Sequence, residues 1–246
     1  MPLPCGRLTV MSWQPVATGR SGAVVSRGPG VFRKEALDPR EDLRAEAERL
    51  AWLGAHGIPV PEVLDADRTF LLTREVAGRT AADHWPTESR PRVIDALARV
   101  TRDLHALPLE DCPFDRRLEV SIPEAMEAQV DLADLDPERR GWSRERLVAE
   151  LLSDRPEQED LVVCHGDLCL PNVLVDPDSF AVTGVIDAGR LGIADRWTDL
   201  AIATRSLASP QNPQFGEWAA QRYLTAYGVS LDIQKCDYYR LLDEFF

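Results

Sequence analysis

The chain is poor in the residues that build metal clusters and covalent frameworks. Its 246 residues include five cysteines, an odd number with no C-x-x-C pair, and four histidines with no H-x-H or H-x-x-x-H spacing. Those absences argue against a disulfide framework, a structural zinc site and a histidine-based metal hydrolase. Long apolar runs are missing too: stretches such as Leu161–Cys164 have the length of a strand, far below a membrane span. The start, MPLPCGRLTVMSW, has no charged segment followed by a long apolar one, so no secretory signal is read there and a reduced, cytoplasmic protein is expected. There is no internal repeat or low-complexity tract. Neither G-x-x-x-x-G-K-[ST] nor G-x-G-x-x-G occurs, which excludes a P-loop. Positive charge is scarce. Lys and Arg number 28 against 41 Asp and Glu, a net charge of −13, and only Lys34 and Lys235 are lysines. Such a surface repels nucleic acid and anionic membranes and concentrates cations, although acidity also serves plain solubility.

What is present reads as two lobes of one α+β unit. Trp13–Val16, Ala23–Ser26 and Val31–Glu35 are short strands separated by ATGRSG and Gly28-Pro29-Gly30, an antiparallel meander. Leu43, Ala47, Leu50 and Ala51 recur at helical spacing, so Arg40–His56 is an amphipathic helix stopped by Gly57. Strands near Val63–Leu64 and Phe70–Arg74 complete a small N-terminal lobe, residues 1–76, with EVAGRT as connector. The rest, 77–246, is mostly helical. One helix carries Val93, Leu97, Val100 and Leu104, a second lies near Ile122–Ala133, and a third near Ser143–Ser153 opens on the cap-like Ser-Arg-Glu-Arg. The runs LVVCH, VLVDP and VTGVID are short β segments, and helices return from Arg196, broken at PQNP and at Tyr227-Gly228.

Two short segments carry chemistry. In His165-Gly166-Asp167-Leu168-Cys169-Leu170-Pro171-Asn172, an Asp and an Asn five positions apart flank a tight loop, and Asp187 follows fifteen residues later at a strand end, with Gly189 two further on. Phosphoryl transfer needs this arrangement: one carboxylate receives the attacking hydroxyl, while an amide oxygen and a second carboxylate hold Mg²⁺ against phosphate oxygens. Protein kinases keep the same offsets in H-R-D-x-x-x-x-N and D-F-G. Singly, an H-G-D tripeptide or a strand-end Asp is more often a chance match or a turn residue. Together and in order they are specific. Cys164 and His165 are adjacent on an extended segment, so they point to opposite faces and form no nucleophile–base pair. His165 is expected to be a buried orienting residue, His105 to pack at a helix end, and His56 and His84 to lack partners. Lys34 on the third strand, with Glu46 or Glu48 on the following helix, matches the Lys–Glu pair that fixes nucleotide phosphates. Gly19-Arg20-Ser21-Gly22 either covers those phosphates or is only a hairpin turn.

VVCHGDLCLPNVLVD, VIDAGRLGIADRWTDLAIATRSL and the ending YYRLLDEFF resemble the aminoglycoside phosphotransferases, most of all the 3′ (kanamycin/neomycin kinase) group, with the 3″ (streptomycin kinase) group as a near relative. The resemblance is dense over 161–246 and looser from Phe32 to CPF at 112–114. It implies a two-lobed, protein-kinase-like fold, with a small antiparallel N-lobe and a mostly helical C-lobe. It further implies that Asp167 is the catalytic base, Asn172 and Asp187 the Mg²⁺ ligands, and Lys34 the binder of ATP or GTP phosphates. Glu46, six residues before Trp52, becomes the pairing acid, Phe32 covers the base, and the backbones of Arg74 and Val76 contact it.

The substrate implied is a polycationic aminoglycoside, which binds carboxylates through charge-assisted hydrogen bonds. Asp131, Asp134, Asp136 and Glu138 offer four acids in eight residues, and Asp243, Glu244 and a Phe246 carboxylate offer three more. Without the motifs, such a run is more often a solvated face. Arg190 and Arg205 fall on positions near substrate and phosphate, while Ser206 and Ser209 stand where relatives carry acids. Alternatives are a 3″ enzyme, a kinase of another amine alcohol, or a catalytically silent nucleotide-binding scaffold. No nucleic acid, membrane or obligate protein partner is implied.

Overall fold

The β-rich start follows from residues that fit a pleated, half-buried surface, and the helices that follow from apolar stripes at 3.6-residue spacing. A computed structural model describes residues 13–16, 23–38 and 42–246; the segment Gly19–Gly22 lies outside them. Strands β1 (Gln14–Val16), β2 (Ala23–Gly28), β3 (Val31–Ala36), β4 (Val63–Ala66) and β5 (Phe70–Arg74) form an antiparallel sheet in the order β1-β2-β3-β5-β4. Helix α1 (Leu43–Ala55) is inserted between β3 and β4. The Asp42 side chain caps it by accepting from the Arg44 amide, and Leu43, Glu46, Ala47, Leu50 and Leu53 form its buried face. Glu46 is the one charged residue in that otherwise apolar buried face.

The chain then enters a helical lobe. Helix α2 (Arg90–His105) begins with Pro91 in its first turn and buries Val93, Ile94, Leu97, Val100 and Leu104. Helix α3 spans Leu118–Glu127 and α4 Arg144–Ser153, the latter capped by Ser143 accepting from the Arg146 amide. The helix expected near Ile122–Ala133 thus starts earlier and stops before the acidic run. There Asp131 turns the chain by accepting the Ala133 amide, so the local side-chain bond replaces a helical one. Helices α5 (Trp197–Ala208), α6 (Glu217–Tyr227) and α7 (Ile233–Asp243) complete the lobe. None of the described helices is long and apolar enough to cross a membrane.

Between α4 and α5 lie two small sheets. β7 (Leu161–Cys164) pairs antiparallel with β10 (Gly192–Asp195), a strand the sequence pattern did not reveal. β6 (Arg79–Thr80), β8 (Val173–Val175) and β9 (Val182–Val185) form the other, so the connector after β5 is stitched to the strand that follows Asn172. One contiguous core joins Leu50 and Leu53 of α1, Leu97 of α2, Val163 of β7, Leu200 of α5 and Tyr223 of α6. The cysteines among the described residues are free, and three of them, Cys112, Cys164 and Cys236, are buried.

Gly228 ends α6 at φ 104°, its amide bonded to Leu224 O, and an added Cβ there would meet nothing within 4 Å. The cost of Gly228→Ala is therefore backbone strain alone, about 1–2 kcal/mol. Denaturant unfolding should show that loss with no change in m-value.

Candidate active site

A buried carboxylate organises the loop. Asp199, in the first turn of α5 and 0% exposed, accepts the His165 amide at 2.8 Å on one oxygen and the Gly166 amide at 2.8 Å on the other. His105 Nε2 lies 3.0 Å from the same carboxylate, and its Nδ1 is 2.8 Å from the Tyr227 hydroxyl. Burial by itself would raise the Asp199 carboxyl; the hydrogen bond and charge of His105, with those of His165, outweigh it and hold the group below its usual range. His165 accepts the Asp167 amide on Nδ1 at 3.2 Å and lies 3.0 Å from Ile186 O through Nε2, so it ties the loop to the segment before Asp187. His105 is more than packing at a helix end, because it completes Asp199. His56 is not partnerless either: its Nδ1 is 2.8 Å from Trp52 O and its ring stacks on Trp52. His105, Cys164 and Asp199 are close enough to share a metal ion. Their polar atoms are already engaged, and burial pushes the Cys164 thiol up while it donates to Asp195 O, so this is a hydrogen-bonded cluster.

The fixed loop aims Asp167. Asn172, in a turn of 3-10 helix at 170–172, donates Nδ2 to Asp167 O at 2.9 Å and to Asp167 Oδ2 at 3.0 Å. That commitment turns the Asn172 Oδ1 the other way. Gly166 has φ 88°, and a Cβ on it would stand 2.4 Å from Arg190 O, so the loop passes the Arg190 backbone too closely for any side chain. Arg190 in turn places Nη2 3.4 Å from Asp167 Oδ1.

Lys34 of β3 puts Nζ 2.8 Å from Glu46 Oε2 and 2.6 Å from Asp187 Oδ1. This is why a glutamate is tolerated in the buried stripe of α1; Glu48 is exposed. Burial pulls the Lys34 ammonium down, but the two carboxylates more than compensate and it stays protonated throughout the ordinary pH range. Burial pushes Glu46 up, and Lys34 pulls Asp187 below its usual range against burial. Asp187 has φ 61°, a conformation Asp and Asn adopt more readily than most residues. The carboxylate of Asp187 and the Oδ1 of Asn172 are hard oxygen donors of the type Mg²⁺ takes. Phe32 shares the Lys34 face of β3, two residues away, with Arg27 Cζ 5.9 Å from its ring centroid. The Arg74 amide is engaged by Glu62 O at 2.9 Å and its side chain by Glu62 Oε2 at 2.6 Å. Val76 packs toward Gly184 of β9.

The acids read from the sequence as substrate ligands separate into two sets. Asp136 is buried and pairs with Arg205 Nη1 at 2.9 Å. Asp243 is paired with Arg205 Nη2 and lies 2.7 Å from Arg190 Nη1. A chain of alternating charge thus runs Asp136–Arg205–Asp243–Arg190–Asp167, and burial would raise Asp243 but the two guanidiniums hold it down. Glu244 accepts the Asp136 amide at 3.1 Å and lies 3.8 Å from Arg139. Asp134 and Glu138 stay exposed on the loop, the Phe246 ring is half exposed beside Arg116 and Arg190, and Phe245 is buried. Ser206 is turned to the Leu170 amide at 3.0 Å and Ser209 to the Gln211 amide at 3.2 Å. Sequence reasoning missed Asp199 and Asp195. Their signal was available: each is an acid inside an apolar stretch, IAD and TDLAIA, where an unpaired charge would be costly.

The sequence pattern described as the phosphotransferase enzyme family matches residues 12–233. The chain is 49% identical to an aminoglycoside 3′-phosphotransferase of Streptomyces fradiae, over 95% of each chain. It superposes on the crystal structure of an aminoglycoside-3′-phosphotransferase of type VIII with TM-score 0.89 and 48% identity, covering 98% of this chain and 96% of the other. A second solved structure, an aminoglycoside phosphotransferase APH(3″)-Id from Streptomyces rimosus in complex with ADP and streptomycin, matches with TM-score 0.80 and 34% identity over 95% and 92% of the two chains.

Two outcomes test this geometry. Gly166→Ala combines positive φ with the Arg190 clash and should cost about 2–4 kcal/mol. Gly189→Ala, whose added Cβ would find only Glu46 at 3.7 Å, should remain close to wild type in a chemical melt. Burial, with Asp136 beside it, pushes the Glu244 carboxyl up to about 7 against the Asp136 amide and Arg139. Its folded form therefore keeps a proton that the unfolded chain, near a pKa of about 4.3, gives up. The associated stability is present at low pH and lost as pH rises through about 7. Thermal melts of Glu244→Gln should gain on wild type across that window; a gap that does not change with pH removes Glu244 as the titrating group.

Proposed function

The chain belongs to the phosphotransferase enzyme family, and we propose that it transfers the γ-phosphoryl group of a nucleoside triphosphate to the 3′-hydroxyl of an aminoglycoside. The observation that carries the reading is the link of Asp167, held by Asn172, to the Lys34–Glu46–Asp187 cluster through Ile186, whose amide donates to Asn172 O at 3.0 Å and whose carbonyl lies 3.0 Å from His165 Nε2. That geometry supports an acceptor hydroxyl on one side and phosphates on the other. The named activity of a relative at 49% identity over 95% of the chain supports the acceptor class and the 3′ position. Inactivation of the antibiotic, and so resistance, is the consequence.

Each residue has a role in this proposal. Asp167 accepts the hydroxyl proton and aligns the oxygen, its second oxygen steadied by Asn172. Lys34, kept charged and oriented by Glu46, binds nucleotide phosphates. Asn172 and Asp187 hold Mg²⁺, which when bound neutralises phosphate charge. Phe32 and the backbone at Arg74 and Val76 border the base, ATP or GTP. Asp134 and Glu138 on the exposed loop, with the tail at Phe246, face the ammonium groups, while Asp136, Asp243 and Glu244 shape the wall behind them together with Arg190 and Arg205. We place the lobe boundary at 76/77, just after the chain leaves β5, and the reaction in the cytoplasm, where nucleotide is available. A silent scaffold has no use for a carboxylate oriented like Asp167.

A nucleotide-coupled assay over aminoglycosides with and without a 3′-hydroxyl tests the acceptor: turnover should require that hydroxyl, and phosphorylation of 3′-deoxy compounds at equal rate excludes it. Asp167→Asn should lower kcat by roughly 10²–10⁴ with nucleotide affinity nearly unchanged. Near wild-type turnover in that variant removes the base assignment.

A further inference from the structure

Both lysines of the chain reach carboxylates: Lys34 meets Asp187 and Glu46, and Lys235 meets Asp195. Lys235 lies in the first turn of α7 with Nζ 2.5 Å from Asp195 Oδ2. Asp195 is 0% exposed, and its oxygens also accept the amides of Asp160 and Trp197, each at 2.8 Å. Of these three donors, Lys235 is the one supplied by α7.

Asp195 is part of the frame that carries the catalytic loop. It closes β10 opposite Leu161 of β7, and β7 runs directly into His165–Asp167. Through the Trp197 amide it also begins α5, whose Asp199 holds the loop amides. Eight residues after Lys235, at the other end of α7, Asp243 bridges Arg190 and Arg205. Arg190 divides its guanidinium between Asp243, at 2.7 Å, and Asp167, at 3.4 Å. Helix α7 is thus pinned to the catalytic frame at both ends, by Lys235 at the start and by Asp243 at the finish.

We infer that Lys235 is a positioning residue for the aminoglycoside side of the site: seated on Asp195, it fixes the height of α7 and with it the place where Asp243 meets Arg190. The inference rests on the reading of Asp167 and the α7 end as the acceptor site. Without the ammonium, Asp195 keeps only two amide donors in a buried position, and α7 is freed to shift along the lobe. Lys34, Glu46 and Asp187 belong to other elements, so the nucleotide side is not addressed.

Lys235→Met should raise the aminoglycoside KM by about tenfold or more, the effect of moving a shielded charged contact out of register, with nucleotide Kd unchanged. Lys235→Arg should restore KM. A purely stabilising ion pair predicts something else: fewer folded molecules and a lower apparent kcat, with KM intact. Ile94→Ala, a core truncation on α2, provides a variant of lowered Tm against which KM is compared. An unchanged KM in Lys235→Met, an equal rise in nucleotide Kd, or an equal KM rise in Ile94→Ala overturns the inference. Amide hydrogen exchange reads the same device without substrate. Exchange should quicken over 238–246 and 190–191 in Lys235→Met beyond any change in Ile94→Ala, and unchanged exchange in both segments overturns it. If the wild type transfers no phosphoryl group to any aminoglycoside, the acceptor assignment fails by that result, while the exchange comparison still decides the positioning role.

Discussion

The site depends on one buried carboxylate. Asp199 takes the amides of two consecutive residues, His165 and Gly166, which an extended or helical backbone would have satisfied elsewhere. Once both amides are held, the chain must turn at Gly166, and the turn brings Asp167 out of the core to meet Asn172. Burying such a charge is tolerated because it is fully paired: two amides and His105 surround it, and Tyr227 holds His105. Helix α5, strand β7 and helix α2 therefore all meet at a point with no solvent, and the loop that carries Asp167 is set by that meeting and not by its own local preference.

The acidity of the chain has a different distribution from the one its composition suggests. With a net charge of −13, a cluster of acids near a binding site invites the reading that all of them await a cation. Arginines from the same lobe already occupy several. Asp136 and Asp243 are bridged by Arg205, Asp243 also by Arg190, and Glu244 is turned to the Asp136 amide. In a buried network the first partner to arrive without translational cost is a tethered one, so folding fills those carboxylates before any ligand does. Asp134 and Glu138, on the loop, are exposed to solvent.

Much of the architecture was legible because the periodicities were clean. The antiparallel β1–β5 sheet, α1 and α2 follow from alternation and from a 3.6-residue stripe. The α3 boundaries did not, since an Asp-rich turn after residue 127 competes locally with helix. β10 was invisible for another reason: GIAD is four residues long and acquires its identity only by pairing with β7. The same distinction holds within the site. The spacing of Asp167, Asn172 and Asp187 signalled phosphate chemistry, and Glu46 stood out as a charge in an apolar helical face. Asp199 and Lys235 lie 34 and 40 residues from the atoms they bond, and no local pattern links them.

The sequence by itself determined the inventory: which residues can accept a proton, hold a cation or turn the chain, and in what order they come. It also determined which segments are helix or strand wherever one periodicity ran long enough to be unambiguous. Only the tertiary structure decided which charges are spent on one another. It joined Lys34 to Asp187 across 153 positions, drew Asp243 onto two arginines, and left Asp134 and Glu138 at the surface. The reason is physical. Side-chain chemistry and backbone preference are local properties carried by each residue, whereas the partner of a buried charge is chosen by whichever group packing brings within about 3 Å of it.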